Sequence, residues 1–279
     1  MGKPIISTGS SRKSVLPGDH SASVYEQGCG RKTQVNILGK NALITGTRRI
    51  GAVVARVLAE HGANVAIVYH RSQAEALATE QTILQIGQKA LTVQADISNA
   101  REVRSMVDQV VQGLGGVDIL VNAASSYHST PLEQMTETDW NIELGSNLKS
   151  VFLCSQAVVA NMRARGEGRI INFADWLAAS GRPRYKGYLA YYVSKKGVIG
   201  LTEALALELA PEILVNAIAP GPILPPPGLT EAENLEVLNA TPLGRWGGEI
   251  EIAKTVIGLI ESDFITGECI RVDGGRHIQ

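Results

Sequence analysis

Cysteine, histidine and aromatic residues are scarce in this chain, and each scarcity narrows the functions that it could have. The 279 residues include three cysteines and five histidines, and aromatic side chains make up 5%. Cys29, Cys154 and Cys269 are far apart and odd in number, so they form neither a metal-ligand cluster nor a disulfide framework. The sequence therefore predicts no metal site, and its cysteine usage favours a reducing compartment such as the cytoplasm.

The chain also lacks an excess of charge of either sign and has no long apolar run. The formal net charge is −1 at pH 7, which gives no reason to expect a nucleic acid or an anionic membrane surface as a partner. No apolar run reaches the roughly 18 residues of a membrane span. With 44% hydrophobic residues, the composition is that of a globular protein with ample material for a core.

Residues 1–37 differ in composition from the rest of the chain. They are rich in Ser, Gly, Lys and Arg, and acidic residues there are limited to Asp19 and Glu26. The segment lacks the apolar centre of a secretory signal. We expect a basic tail without packed structure. A transit peptide is the alternative, although no amphipathic arginine-rich helix is evident. The folded domain is expected to span residues 38–279.

From residue 38 onward, short apolar runs alternate with segments of helical periodicity. The predicted strands are 42–45, 64–69, 90–94, 117–122, 169–173, 213–218 and 269–272. The predicted helices are 50–62, 73–86, 102–114, 138–165, 191–209 and 250–260. This alternation predicts an α/β fold with a single doubly wound, Rossmann-type parallel sheet and helices on both faces. Ligands of such sheets bind beyond the carboxyl ends of the strands.

The turn after the first predicted strand has the character of a dinucleotide cradle. Gly46 and Gly51 bracket Arg48, Arg49 and Ile50 between a strand and a helix. Glycine allows close approach of the backbone to a pyrophosphate, and a helix N-terminus favours anions. The motif is shorter than G-x-G-x-x-G, so an ordinary strand-to-helix turn is the alternative.

The end of the second predicted strand indicates which dinucleotide would bind. NAD sites usually place a carboxylate there for the ribose 2′-hydroxyl, whereas this chain has His70, Arg71 and Ser72. An arginine and a hydroxyl suit a 2′-phosphate through charge-assisted hydrogen bonds, and Arg48 is placed to join them. We therefore predict NADPH as the cofactor, with Asp96 accepting a hydrogen bond from the adenine amino group.

Tyr191 and Lys195 are four residues apart in a helical segment and so share one helix face. A free tyrosine has a pKa of about 10, too high for proton transfer near neutrality. A lysine ammonium roughly 4 Å away contributes about 4 kcal/mol at an effective dielectric constant of about 20, or about three pKa units. The spacing thus predicts a tyrosine acid–base catalyst. Tyr192 and Lys196 repeat the pattern, so a tyrosine packed under a solvated lysine is the alternative.

These features together resemble those of the short-chain dehydrogenase/reductase family. The matching residues are the Thr45-Gly46 turn, Asp96-Ile97, Asn122-Ala123-Ala124, Asn147, the Tyr191/Lys195 pair, Pro220-Gly221 and Val272-Asp273-Gly274-Gly275. The resemblance implies hydride transfer from NADPH to a small-molecule substrate, with Lys195 on the nicotinamide ribose and Asn147 holding a water. It places Ile97, Asn122, Ala123, Ala124, Pro220, Gly221 and Ile223 around the cofactor. It also implies a homotetramer in which Arg276 and His277 reach a neighbour's pocket.

Within that family the chain looks most like the pteridine reductases. Asp175 occupies the position that is usually serine, and Tyr127 follows the fourth strand. The likeness implies a pterin stacked on Tyr127, a proton from Tyr191 assisted by Asp175, and a lengthened loop at 182–186 over the pocket. The implied substrate residues are Arg49, Ser125, Tyr127, Asp175 and Leu224. Reduction of a ketone, quinone or imine with NADPH is the alternative, and a cofactor-binding sensor without turnover is a third hypothesis.

Overall fold

The computed structural model describes residues 36–279, and the prediction for residues 1–35 lies outside that range. Seven parallel strands form one sheet in the order β3-β2-β1-β4-β5-β6-β7. They are β1 (Asn41–Thr45), β2 (Asn64–Tyr69), β3 (Ala90–Gln94), β4 (Ile119–Asn122), β5 (Gly168–Phe173), β6 (Ile213–Pro220) and β7 (Cys269–Val272). The predicted doubly wound fold is confirmed, and the strand order reverses between β1 and β4, where such sheets bind ligands.

Helices cover both faces of the sheet. They are α1 (Ile50–Glu60), α2 (Gln73–Ile86), α3 (Ala100–Leu114), α4 (Glu137–Leu144), α5 (Ser150–Arg165), α6 (Trp176–Ser180), α7 (Leu189–Leu209), α8 (Glu231–Asn239) and α9 (Glu249–Glu261). One apolar core packs α1, α2 and α9 against the strands, and another packs α3, α5 and α7. Ile37, which the sequence assigned to the tail, is 2% exposed and belongs to the first core. Among residues 36–279, no helix is long and apolar enough to span a membrane.

The helix predicted over residues 138–165 is interrupted. α4 ends at Leu144, and Gly145–Lys149 forms a π-helical turn before α5 begins. The hydroxyl of Ser146 donates to the Ile142 carbonyl oxygen at 2.7 Å, and that of Ser150 donates to the Ser146 carbonyl oxygen at 2.6 Å. Serine hydroxyls that bond back to the preceding turn in this way bend and open a helix. The widened turn is a feature that is common at functional sites.

Apolar periodicity does not predict α6 or α8. α6 has five residues, too few to show a period, and it is capped by the Asp175 carboxylate. α8 has no buried residue, so it lacks an apolar stripe. Its capping box of Thr230 and Glu233 is the sequence signal that marks its start.

Candidate active site

The turn after β1 is packed so closely that only glycine fits at two positions. A Cβ on Gly46 would lie 2.5 Å from the Ala124 amide nitrogen, and one on Gly51 would lie 1.7 Å from the Gly46 carbonyl oxygen. Between them, Thr47 is 4% exposed, and its hydroxyl has no hydrogen-bond partner within the described part of the chain. A buried hydroxyl without a partner costs free energy. A tight backbone cradle with an orphaned hydroxyl before α1 therefore fits a dinucleotide phosphate.

Two arginines of this turn have different surroundings. Arg48 Nε lies 3.8 Å from the Glu75 carboxylate, and both side chains are more than half exposed. Arg49 adopts a φ of 53°, which is uncommon for a residue with a side chain, and its guanidinium donates to the Pro225 carbonyl oxygen at 3.1 Å. Arg48 thus already faces a carboxylate, which weakens its predicted part in binding a 2′-phosphate. Arg49 instead contacts the loop after β6, on the side of the predicted substrate residue Leu224.

The ends of β2 and β3 present the other predicted cofactor residues. His70 and Arg71 are exposed where β2 ends, and Ser72 is half-buried beside them. Burial would raise the pKa of Asp96, but hydrogen bonds from the Ser98 hydroxyl and amide outweigh it and hold that pKa below its ordinary value. Asp96 is therefore a carboxylate near neutral pH, as an acceptor for an amino group must be.

Tyr191, Lys195 and Asp175 meet beyond the end of β5. Tyr191 and Lys195 lie one turn apart on α7, and Asp175 lies two residues beyond the end of β5. The Tyr191 hydroxyl donates to Asp175 Oδ2 at 3.0 Å, while Asp175 Oδ1 accepts from the Leu177 amide at 2.7 Å and caps α6. Lys195 Nζ donates to the Phe173 carbonyl oxygen at 2.8 Å. Asp175 is thus both a helix cap and a partner of the tyrosine, and it is not a solvated loop residue.

Burial sets the ionisation of all three groups. It raises the pKa of Tyr191 well above its ordinary value, and the neighbouring Asp175 carboxylate raises it further. Burial also raises the pKa of Asp175, against hydrogen bonds from Leu177 and Tyr191. It lowers the pKa of Lys195 to about 8, while the charges of Asp175 and Glu143 oppose the fall.

The prediction that Lys195 lowers the pKa of Tyr191 is wrong for this structure. Lys195 Nζ lies 5.9 Å from the centre of the Tyr191 ring and is engaged by a backbone oxygen. The hydrogen-bond partner of the hydroxyl is Asp175, and a carboxylate at that position disfavours a phenolate. Burial and the Asp175 carboxylate thus both favour the protonated form of the Tyr191 hydroxyl.

A cleft of about 390 Å³ opens beside the Tyr191 hydroxyl. Its lining includes Arg49, Tyr127, Asp175, Arg184, Tyr188 and Leu224. The Tyr127 ring stacks on Tyr188 with centroids 4.4 Å apart, and it meets the Tyr191 ring edge-on at 4.7 Å. The loop at 182–186 contributes Pro183, Arg184 and Tyr185 to the lining, as predicted. Trp176 and Tyr188 also line the cleft and had not been singled out, because neither belongs to a motif.

Asn147 ties the loop after β4 to the π-helical turn. Its Oδ1 accepts from the Ser126 amide at 2.8 Å and from the Ser125 hydroxyl at 3.0 Å. Its Nδ2 donates to Glu143 Oε2 at 2.9 Å and to the Ser126 carbonyl oxygen at 3.1 Å. The side chain is thus fully used within the protein. Ser125 is exposed but bound to Asn147. Glu143 was missed, although its spacing of four residues from Asn147 predicts contact on a helix.

The side chains of three predicted site residues are buried within the protein. Asn122 is 2% exposed and its amide donates to Asn172 Oδ1 at 2.9 Å, so its side chain faces the interior and not the cofactor edge. Ile223 is 4% exposed within the apolar core. Arg276 is 6% exposed, donates to the Val237 carbonyl oxygen at 2.8 Å and packs on Trp176 of its own chain. Ile50, Ile97, Ala123, Ala124, Pro220 and Gly221 lie at the carboxyl edge or just beyond it.

Comparison with protein-family models and curated relatives agrees with this arrangement. Residues 44–277 match the family model described as Enoyl-(Acyl carrier protein) reductase. The chain is 38% identical over 245 residues to the 3-oxoacyl-[acyl-carrier-protein] reductase FabG of Staphylococcus aureus, covering 86% of this chain and 98% of that one. It is 37% identical over 253 residues to the (2S)-[(R)-hydroxy(phenyl)methyl]succinyl-CoA dehydrogenase subunit BbsD of Thauera aromatica, covering 88% and 99%.

Solved structures share the fold over the same region. A short-chain dehydrogenase/reductase from Serratia marcescens superposes with a TM-score of 0.81 at 33% identity, covering 87% of this chain and all of that one. A short-chain dehydrogenase from Burkholderia cenocepacia, solved in complex with NADP, gives a TM-score of 0.79 at 34% identity, covering 87% and 99%. These relatives do not support the finer likeness to pteridine reductases.

Proposed function

The chain belongs to the short-chain dehydrogenase/reductase family, and we propose that it is an NADPH-dependent reductase of a carbonyl compound. One observation carries the proposal: Tyr191 on α7, whose hydroxyl donates to Asp175, lines a cleft next to the glycine turn. Similarity to a 3-oxoacyl-[acyl-carrier-protein] reductase and to a (2S)-[(R)-hydroxy(phenyl)methyl]succinyl-CoA dehydrogenase subunit supports a carbonyl substrate over a pterin.

The residues present fit a dinucleotide that supplies hydride to the substrate carbon when it is bound. Thr47, whose buried hydroxyl has no partner in the described part of the chain, would hold its pyrophosphate, and Gly46 and Gly51 would keep the turn tight before α1. Arg71 would bind the 2′-phosphate, and Lys195 would hydrogen-bond the nicotinamide ribose. The family member solved with NADP supports this cofactor.

The chain's own part is proton transfer and orientation. Tyr191 donates its proton to the carbonyl oxygen as negative charge develops there. Ionised Asp175 competes for the same proton, because it already accepts the Tyr191 hydrogen bond. Protonated Asp175 removes that competition and can itself donate. The productive state therefore has a neutral carboxyl group at Asp175, which burial favours.

Alanine in place of Arg71 is expected to lower the preference for NADPH over NADH by about 10- to 100-fold. Loss of charge-assisted hydrogen bonds to a phosphate costs roughly 1.5–3 kcal/mol. The ratio of kcat/KM values for the two cofactors measures the change. Arg48→Ala is the matched control and should change the ratio less, because Glu75 already faces Arg48. Equal effects of both variants would contradict the assignment of the 2′-phosphate to Arg71.

Turnover is expected to fall as pH rises through the raised pKa of Asp175. The carboxyl group is neutral below that pKa and ionised above it, so activity is present on the acid side and lost on the alkaline side. Asp175→Asn keeps the cap on α6 but does not titrate, so this component of the pH profile should disappear. An unchanged profile in Asp175→Asn would remove Asp175 from the mechanism.

A pterin is the second candidate substrate, and two observations favour it. Asp175 stands where the family usually has serine, and the stacked Tyr127 and Tyr188 rings form an aromatic wall in the cleft.

The variant Asp175→Ser would separate the carbonyl candidate from the pterin candidate. For a ketone we expect kcat/KM to rise about tenfold, because a hydrogen bond of roughly 1.5 kcal/mol no longer competes for the Tyr191 proton. For a pterin it should fall.

The decisive experiment is a substrate panel with NADPH and, separately, with NADH. The panel contains a 3-oxoacyl thioester, simple ketones, a quinone, a cyclic imine and dihydrobiopterin. We expect oxidation of NADPH with at least one carbonyl compound. Turnover of dihydrobiopterin alone would establish the pterin alternative. Binding of NADPH without conversion of any substrate would favour a non-catalytic sensor and overturn the proposal.

A further inference from the structure

Arg49 and Arg184 are charged side chains of the cleft to which the mechanism above assigns no role. Both line the cleft into which Tyr191 faces, and among the described residues of that lining the third charged one is Asp175. The Asp175 oxygens already accept hydrogen bonds, one from the Leu177 amide and one from the Tyr191 hydroxyl. The cleft wall thus carries two guanidinium groups against one carboxyl group whose two oxygens are both engaged.

The two guanidinium groups keep most of their hydrogen-bond donors for a ligand. An arginine carries five N–H donors. Within residues 36–279, Arg49 uses one on the Pro225 carbonyl oxygen at 3.1 Å, and Arg184 uses one on the Gln279 carbonyl oxygen. Neither side chain forms an ion pair with an Asp or Glu of this range. The remaining donors suit an oxyanion, which a guanidinium binds with two parallel hydrogen bonds.

Local structure holds each arginine in position. Arg49 has a φ of 53°, and backbone strain of this kind is concentrated at ligand sites. The Arg184 guanidinium lies 5.2 Å from the centre of the Trp176 ring, and that of Arg276 lies 5.4 Å from the same ring. Arg276 is itself buried and donates to the Val237 carbonyl oxygen at 2.8 Å. Trp176 is therefore held from behind, and stacking on its face orients Arg184 without using an N–H donor.

Aromatic rings form much of the rest of the cleft wall. Five of the seven tyrosines of the chain line the cleft, together with Trp176. The aromatic wall of Tyr127 and Tyr188 has its ring centroids 4.4 Å apart. In a chain with 5% aromatic residues, this concentration indicates a ligand with a flat apolar body. Two arginines beside such a wall match a molecule that also has an acidic end.

We propose that the substrate is an aromatic keto acid, whose carboxylate is bound by Arg49 and Arg184 and whose ring lies against the aromatic wall. This inference rests on the proposed reductase function. The ketone carbon receives the hydride of NADPH, which becomes NADP⁺, and the ketone oxygen receives the proton of Tyr191, which solvent replaces. The carboxylate does not react, so the product is the corresponding hydroxy acid.

The test compares kcat/KM with NADPH for benzoylacetate, ethyl benzoylacetate, acetoacetate and ethyl acetoacetate, which share a ketone and differ in ring and charge. We expect benzoylacetate to be preferred over both its ester and acetoacetate. Arg184→Gln should lower the preference for acid over ester about tenfold, the effect of losing one charge-assisted hydrogen bond. Arg49→Gln should act in the same direction, and Arg184→Lys should retain part of the preference.

Arg182→Gln is the matched control, because Arg182 belongs to the same loop and is exposed but does not line the cleft. It should retain the preference for the acid. Equal losses in Arg182→Gln and Arg184→Gln would show a general effect of surface charge and overturn the proposal. Equal turnover of acid and ester, or a preference for acetoacetate over benzoylacetate, would overturn it as well.

Acetoacetyl-CoA distinguishes two sources of the anion, because it carries phosphates but no carboxylate. A larger loss with acetoacetyl-CoA than with benzoylacetate in Arg184→Gln would assign the arginines to the phosphates of a thioester carrier. That result would overturn the proposal. A loss confined to the two free acids would support it.

A binding measurement separates failure of this inference from failure of the proposed function. Calorimetric titration of benzoylacetate and of its ethyl ester into the protein with NADP⁺ requires no turnover. If the acid binds about tenfold more weakly to Arg184→Gln but no compound is reduced, the reductase function fails and the acid site stands. If ketones are reduced but the acid is not bound in preference to the ester, the reductase function stands and the acid site is refuted.

Discussion

Phenylalanine in place of Tyr191 is expected to reduce kcat for reduction by about 10²–10⁴-fold, the usual contribution of a positioned general acid. Tyr191 lines the cleft and donates to Asp175, and its raised pKa favours the protonated form through neutral pH. The ring of the variant can still meet Tyr127 edge-on. NADPH affinity should therefore change little, and the loss should appear in kcat.

Tyr192→Phe is the matched control for this prediction. Tyr192 and Lys196 repeat the same four-residue spacing, but Lys196 is exposed and donates to the Ala178 carbonyl oxygen at 3.2 Å. We expect Tyr192→Phe to retain kcat within about threefold. Steady-state kinetics with the best substrate of the panel, together with NADPH titration by fluorescence, measures both variants. Equal losses in the two variants would exclude Tyr191 as the specific proton donor.

The strands could be predicted from the sequence because they are short apolar runs between turn residues; the five inner strands are largely buried, whereas the edge strands β3 and β7 are only partly so. Buried parallel strands are continuous apolar runs with polar or glycine-bearing ends, and β2, β3 and β7 have the predicted bounds. The helices could be predicted less completely than the strands. The π-helical turn at Gly145–Lys149 contains serine hydroxyls that donate to the backbone. Such hydrogen bonds do not alter the spacing of apolar residues, so hydrophobic periodicity cannot predict the turn.

The site could be predicted only as far as local spacing determines it. The four-residue interval placed Tyr191 and Lys195 on one face of α7, and strand ends brought Asp175 to them. The pKa of Tyr191 could not be obtained in this way. Spacing gives a distance to a charge, whereas the shift is dominated by burial beneath elements that are distant in the sequence. The contact of Glu143 with Asn147 follows from local spacing, but its contact with His128 joins α4 to the loop after β4 and could not be predicted in this way.

Methionine in place of Lys195 is expected to remove a pH-dependent part of the stability as well as the activity. Folding lowers the pKa of Lys195 from 10.5 to about 8. Between these values the unfolded chain binds more protons, so the free energy of unfolding rises with pH. A shift of this size corresponds to about 3 kcal/mol at 1.36 kcal/mol per pKa unit. Below pH 8 the buried ammonium destabilises the folded protein in full. This destabilisation disappears as the pH rises and the amine loses its proton.

Urea unfolding at pH 7, 8.5 and 10 tests this sign directly. The stability of the natural chain relative to Lys195→Met should increase by about 2.5 kcal/mol across that range, which covers most of the shift. Lys196→Met, which removes an exposed lysine from the same helix, should follow the natural chain at every pH. Parallel curves for the natural chain and Lys195→Met would mean that the ammonium is not buried at the cost inferred here. Below pH 8 the buried Lys195 ammonium destabilises the folded protein, whereas a methionine of similar volume would not. A destabilising lysine at this position is consistent with a residue that is retained for catalysis.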